Sequence, residues 1–241
     1  MNNLFSEPYL ICGLTGALLA LVLFLYLGRK IPHVKGELLL CYVFAFAGML
    51  MGAHILFFIV NLPDFADKYG DSIFDIQSFL TAVFNASSGM VFYGGLFGAM
   101  GGIWLFCRIT KNSFHQYINA AACSFPLLHA AGRAGCTLDG CCYGIEYHGI
   151  FAIRYTESYI NPGISDHIAD FPRFPVQPLE AVLELLICIM LVAIYLKTGD
   201  KYSIPAIYLL SYGIVRFSDE FLRGDAVRGI WGPFSTSQWI A

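Results

Sequence analysis

Charge is what this sequence has least of. Lys, Arg, Asp and Glu make up 13% of its 241 residues, about half the share of a typical soluble chain. There is too little charge to coat a water-exposed surface, and hydrophobic residues reach 57%. A disordered chain and a small disulfide-rich scaffold are both excluded. With 14 basic against 17 acidic side chains and a net charge of −3, a nucleic-acid module with a basic face is excluded too. The mean hydropathy of +0.64 directs attention to where the few charges sit.

Charge-free runs mark the membrane, since crossing the hydrocarbon takes about 20 apolar residues. They are Pro8–Gly28, Leu38–Pro63, Ile76–Cys107 and Asn112–Gly132, joined by Val176–Leu196, apolar apart from Gln177, Glu180 and Glu184, and by Ser203–Leu222, which turns charged halfway. The third is long enough for an arm or re-entrant piece before a helix near Gly89–Cys107. The expectation is an all-α polytopic transmembrane protein with six spans, forming one integral membrane domain over residues 1–241. Met1–Glu7 lacks the basic stretch of a signal peptide. Arg29, Lys30, Lys35, Arg108, Lys111, Lys197 and Lys201 fall on one side of alternating spans. The positive-inside rule makes that side cytoplasmic and places the N-terminus outside. Asp64, Asp67, Asp71, Asp75, Glu146, Glu157, Asp166 and Asp170 fall on the other side. The long segment 133–175 is then an external loop region and a functional candidate. The final stretch, Gly232–Ala241, reads as a loop entering a further span.

Polar residues inside spans are costly and so informative. Tyr212, Arg216, Asp219, Glu220 and Arg223 share one helical face of the sixth span. Gln177, Glu180 and Glu184 form a matching face on the fifth. Internal ion pairing is the plain reading, favoured for Glu184; a polar cavity opening outward is the functional one. Glycines crowd the third span, where Gly98 and Gly102 suit close helix packing. Adjacent Gly94 and Gly95 beside Tyr93 suit a helix break or a lipid headgroup.

The densest motif runs from His129 to Gly144 and holds Arg133, Cys136, Asp139, Cys141 and Cys142. Arginine with nearby glycine amides is a phosphate receptor. The cysteines admit four readings: a metal site with His129, a disulfide, a reactive thiolate, or small packed side chains. Packing suits the other five, Cys12, Cys41, Cys107, Cys123 and Cys188.

These blocks together resemble the prolipoprotein diacylglyceryl transferases of bacterial membranes. Phe92-Tyr93-Gly94-Gly95-Leu96 is similar to the family's Phe-His-Gly-Gly-Leu segment. The stretch from Gly132-Arg133 to Gly144 is similar to its glycine-arginine signature. Pro175-Val176-Gln177-Pro178-Leu179-Glu180 is similar to its Pro-x-Gln-Leu-Tyr-Glu stretch. The stretch from Tyr212-Gly213 through Arg216-Phe217 and Glu220 to Arg223 is similar to its Tyr-Gly-x-x-Arg-Phe-x-x-Glu-x-x-Arg block.

The resemblance implies seven spans with the N-terminus outside, and transfer of a diacylglyceryl group from phosphatidylglycerol to a prolipoprotein cysteine. It implies an active site facing out of a bacterial plasma membrane, with no metal, no organic cofactor and no nucleic-acid partner. Arg133 and Arg216 would hold the phosphate, and Tyr212 would orient the headgroup or assist proton transfer. Gln177, Glu180, Glu220 and Arg223 would shape the substrate site, and Gly94, Gly95 and Gly144 would give it backbone room. Three departures stand out. Tyr93 replaces the family's histidine, Cys136 and Asp139 its asparagines, and Cys141 its glutamate. His129, one turn before Arg133, is a substitute base, and Cys136 or Cys141 a possible nucleophile. The rival readings are a transferase with another donor or acceptor, a thiol-redox or metal-binding membrane protein, and a channel or transporter.

Overall fold

A computed structural model of the chain describes residues 7–32, 34–60, 62, 91–155, 169–224 and 230–241. Six long helices follow the predicted spans: α1 (Glu7–Gly28), α2 (Glu37–Val60), α3 (Phe92–Thr110), α4 (Phe114–Asp139), α5 (Val176–Thr198) and α6 (Ile204–Asp219). Helix dominates because backbone groups in lipid must be satisfied within the segment itself. The helices α1, α2, α3 and α5 are long and apolar enough to cross a membrane. The helices α4 and α6 interrupt their apolar character with the site residues. Leu14, Leu18, Met51, Ile189 and Leu210 stand exposed, as side chains facing hydrocarbon do. The protein is an all-α polytopic membrane protein.

Helix ends follow local chemistry. Lys111 takes a left-handed conformation (φ 60°) after α3 and returns its N–H to Cys107 O. Pro205 sits in the first turn of α6, where its missing N–H costs nothing. Asn119 accepts from Ile204 N at 3.0 Å and donates to Tyr202 O at 3.2 Å, fixing the start of α6 from α4.

The loop expected to begin at Arg133 begins later. Helix α4 continues through Asp139, so Arg133 and Cys136 are helical residues; the turn comes at Gly140, with φ 75°. The arm before Gly89, the acidic residues Asp64, Asp67, Asp71 and Asp75, and Glu157 and Asp166 lie outside the described residues. The terminal stretch forms a short hairpin of β1 (Ile230–Trp231) and β2 (Phe234–Ser235), then α7 (Thr236–Ile240). Ser235 and Gln238 close a capping box at the start of α7.

The chain divides into two compact units, Met1–Leu27 with Asn119–Ala241, and Gly28–Ile118. In the second unit α2 packs on α3 through glycine. A Cβ on Gly48, Gly52, Gly94, Gly98 or Gly102 would run into backbone of the opposite helix. The two backbones touch where no side chain stands between them. In the first unit Gly16 of α1 sits against Ala131 of α4, and Gly135 of α4 against Tyr9 and Cys12 of α1. Cys188 of α5 donates to Cys123 O of α4 at 3.3 Å, and Phe125 of α4 meets Tyr208 of α6 edge-on at 5.6 Å.

Candidate active site

The first unit gathers the polar faces of α4, α5 and α6. Glu180 of α5 is the hub. Its Oε2 meets Arg133 Nε at 2.9 Å, and its Oε1 accepts from Tyr212 Oη at 3.3 Å. Glu184, one turn further along α5, meets His129 Nδ1 at 2.9 Å. His129 Nε2 then faces Glu180 Oε1 at 3.8 Å. The imidazole also stands edge-on to the Tyr212 ring, 5.0 Å between centroids. Helical spacing makes this convergence possible: His129 and Arg133 are four apart on α4, and Glu180 and Glu184 four apart on α5.

Arg216 lies one turn beyond Tyr212 on α6. Its Nη2 meets Glu220 Oε2 at 2.6 Å and donates to Ser237 Oγ at 3.0 Å. Its Nη1 is buried and makes no hydrogen bond among the described residues. Glu180, Glu184, Arg216, Asp219 and Glu220 are all buried. A buried, unused guanidinium donor is expensive unless something supplies an acceptor. Arg133 meets Glu180 through Nε, so its terminal nitrogens are left out of that pair. Two arginines thus present N–H groups in a low-dielectric setting, which strengthens their hold on an anion.

The segment after α4 is bound back onto this unit. Gly144 bridges Arg223 in antiparallel fashion, with Ile145 N donating to Leu222 O and Gly224 N to Tyr143 O, each at 2.9 Å. Gln177 at the start of α5 donates to Cys141 O at 2.8 Å and to Tyr155 Oη at 3.1 Å. The Arg173 guanidinium lies 5.0 Å from the Tyr143 ring centroid. A Cβ on Gly144 would strike Phe174 O, so this glycine is required by the crossing of two backbones.

Cys136, Cys141 and Cys142 converge, their sulfurs within 4.8 Å of one another. The positive φ at Gly140 (75°) and Cys142 (55°) folds the chain back over the end of α4. Thiol hydrogen bonds from Cys136 and Cys141, helped by the charges of Arg133 and Arg223, hold the Cys142 thiol well below its ordinary range. Hydrogen bonding with Cys136 and then Cys142, with burial, pushes the Cys141 thiol far up.

The expected residues fall into three groups. His129, Arg133, Glu180, Tyr212, Arg216 and Glu220 meet in one network. Gln177, Gly144 and Arg223 support the segment beside it, as do Cys136 and Cys141. Tyr93, Gly94 and Gly95 belong to the other unit, in the first turn of α3 and its approach, where Gly94 and Gly95 pack on α2. Helix α3 is unbroken there. The internal ion pairing expected on the sixth span is Arg216 with Glu220, while Arg223, which the resemblance pairs with Glu220, donates its backbone N to Glu220 O at 3.4 Å. Glu184 holds the candidate base. Ser237 and Tyr155 carried no signal in the sequence, because each acts through a contact made across a long stretch of chain.

The family profile described as prolipoprotein diacylglyceryl transferase matches residues 6–241. A phosphatidylglycerol–prolipoprotein diacylglyceryl transferase of Clostridium tetani is 26% identical, covering 94% of this chain and 84% of its own length. One from Clostridium perfringens is 27% identical, covering 94% and 82%. One from Clostridium botulinum strain 657 is 25% identical, covering 94% and 86%. With the network of α4, α5 and α6 in place and a match spanning nearly the whole sequence, this chain belongs to the prolipoprotein diacylglyceryl transferase family.

Proposed function

We propose that this chain moves the diacylglyceryl group of phosphatidylglycerol onto a prolipoprotein cysteine at the outer face of a bacterial plasma membrane. The observation that carries this reading is Arg216, held by Glu220 and Ser237 with Nη1 unused and buried. A phosphate oxygen is the acceptor that completes it.

The chemistry follows from charge. The acceptor thiol gives up its proton, and its sulfur attacks the glycerol carbon that carries the phosphate. A carbon–sulfur bond forms, the carbon–oxygen bond breaks, and glycerol phosphate departs with the electron pair. The phosphate gains one negative charge in this step. Arg133 and Arg216 offer donors to that growing charge, and such preorganised stabilisation is usually the largest catalytic contribution. His129 is the base: Glu184 fixes it through Nδ1, and Nε2, 3.8 Å from Glu180 Oε1, takes the thiol proton and delivers it to the departing phosphate. This assigns to His129 the task that Tyr93, a phenol, is poorly suited to at neutral pH. Tyr212 orients Glu180, and Glu180 holds Arg133.

The outward orientation is supported by the seven Lys and Arg residues on the opposite loops. A covalent lipid–cysteine intermediate is disfavoured on chemical grounds. Cys136 or Cys141 attacking the same carbon would form a thioether, which has no easy way to pass the group on. The test uses the full chain in phosphatidylglycerol vesicles with a cysteine-bearing prolipoprotein peptide. Mass spectrometry should find the diacylglyceryl thioether on the peptide and free glycerol phosphate in solution. No modified peptide, or modification without glycerol phosphate release, would overturn the reading.

A further inference from the structure

Three sulfurs of one unit converge at the end of α4 and the turn that follows it. We propose that Cys136, Cys141 and Cys142 form a binding site for a thiophilic d10 metal ion, Zn(II) or Cu(I). Their sulfurs lie within 4.8 Å of one another. A metal–sulfur bond of about 2.3 Å sets sulfur separations of about 3.8–4.0 Å in tetrahedral or trigonal geometry. The trio needs to contract by less than about 1 Å to reach that.

Adjacent cysteines are ordinarily poor joint ligands, because neighbouring side chains diverge. The turn removes that obstacle. Gly140 and Cys142 both take positive φ, 75° and 55°, and for a non-glycine residue that is uncommon and often tied to function. The turn is also pinned from outside. Gln177 donates to Cys141 O at 2.8 Å, and Gly224 N donates to Tyr143 O at 2.9 Å. Cys136 comes from the last turn of α4, so a rigid helix supplies one ligand and a clamped turn the other two.

The ligand set narrows the ion. His129, which the spacing offers as a fourth ligand, meets Glu184 and Glu180 instead. Among the described residues no further His, Cys, Asp or Glu joins the three sulfurs. Three thiolates suit three-coordinate Cu(I), or Zn(II) with water as its fourth ligand; soft sulfur discriminates against Mg(II) and Ca(II). Binding replaces the S–H protons with metal–sulfur bonds and releases them to solvent. Arg133 and Arg223 offset the negative charge that remains. A disulfide would use two of the three sulfurs and leave the geometry of the third unexplained.

Metal binding is read directly, so the test needs no transfer activity. The full-length protein is purified in detergent with native lipid, reduced, freed of reductant under anaerobic conditions, and titrated against a chromophoric chelator. One arm uses Zn(II), with Co(II) as spectroscopic reporter, and the other Cu(I). One equivalent should bind in at least one arm, with thiolate-to-metal charge transfer in the Co(II) spectrum. Cys141→Ser and Cys142→Ser should each weaken binding by about 100-fold or more, while Cys12→Ser leaves it unchanged. Failure of both ions to compete with the chelator overturns the proposal. So does equal binding by a variant with all three cysteines replaced by serine, or a disulfide that re-forms without metal uptake.

Discussion

The two units meet the same demand, satisfying polar groups away from water, in opposite ways. The α2–α3 pair removes side chains: glycines bring the two backbones into contact, and no ion pair among the described residues joins the two helices. The unit holding α4, α5 and α6 buries His129, Arg133, Glu180, Glu184, Arg216, Asp219 and Glu220 close together. Glycine packing yields rigidity and nothing that reacts. A buried ionic network is a weak source of net stability, since desolvation can exceed the attraction. Among the described residues such a network appears only in the unit that holds α4, α5 and α6.

The comparison can be broken first at the glycines. Gly98→Val should cost about 3 kcal/mol, because its Cβ meets Gly48 backbone, and should lower the unfolding temperature in detergent by about 10 °C. Gly101 faces open space on the same helix, so Gly101→Val is the control and should fall within about 1 kcal/mol of the parent. If both variants unfold alike, the glycine contacts are not what joins the pair.

The reactive half is tested through catalysis. His129→Ala should lower kcat about 100-fold with little change in KM for phosphatidylglycerol. Glu184→Gln should lower kcat about tenfold, because the imidazole stays but loses its orienting carboxylate. A KM effect in place of a kcat effect would move both residues from proton transfer to lipid binding. Gln177→Leu leaves Cys141 O without its donor and should cost about 1 kcal/mol of stability, measured by thermal unfolding. The smallest effect is chemical. Cys142 should keep its alkylation rate as pH falls from about 9 toward neutrality, where an ordinary thiol slows and Cys141 stays inert.

Much of this was legible in the sequence, for identifiable reasons. Lipid imposes length and apolarity on each span, so six hydrophobic runs became six long helices. The i, i+4 spacing of Tyr212, Arg216 and Glu220 placed them on one face, and Arg216 does meet Glu220. What the sequence hid was partnership between elements. His129 and Glu184 are 55 positions apart, and nothing local says that a histidine on α4 meets the second carboxylate of α5. Ser237 reaches Arg216 because a hairpin returns the chain. Arg133 looked like the first loop residue because its charge ends the run Asn112–Gly132, yet α4 continues through Asp139. Gly94 and Gly95 looked like room for a headgroup; α2 occupies the space beside them.

The central claim is that Arg133 and Arg216 receive the phosphate of the lipid donor. Its most direct test is transfer of labelled diacylglyceryl from phosphatidylglycerol to a cysteine peptide by Arg216→Ala and Arg216→Lys. Each is compared with the parent at equal folded fraction. The alanine variant should lose at least about 100-fold in rate, and lysine should restore part of it by returning charge without the fork. An alanine variant that folds and transfers within about threefold of the parent would contradict the account.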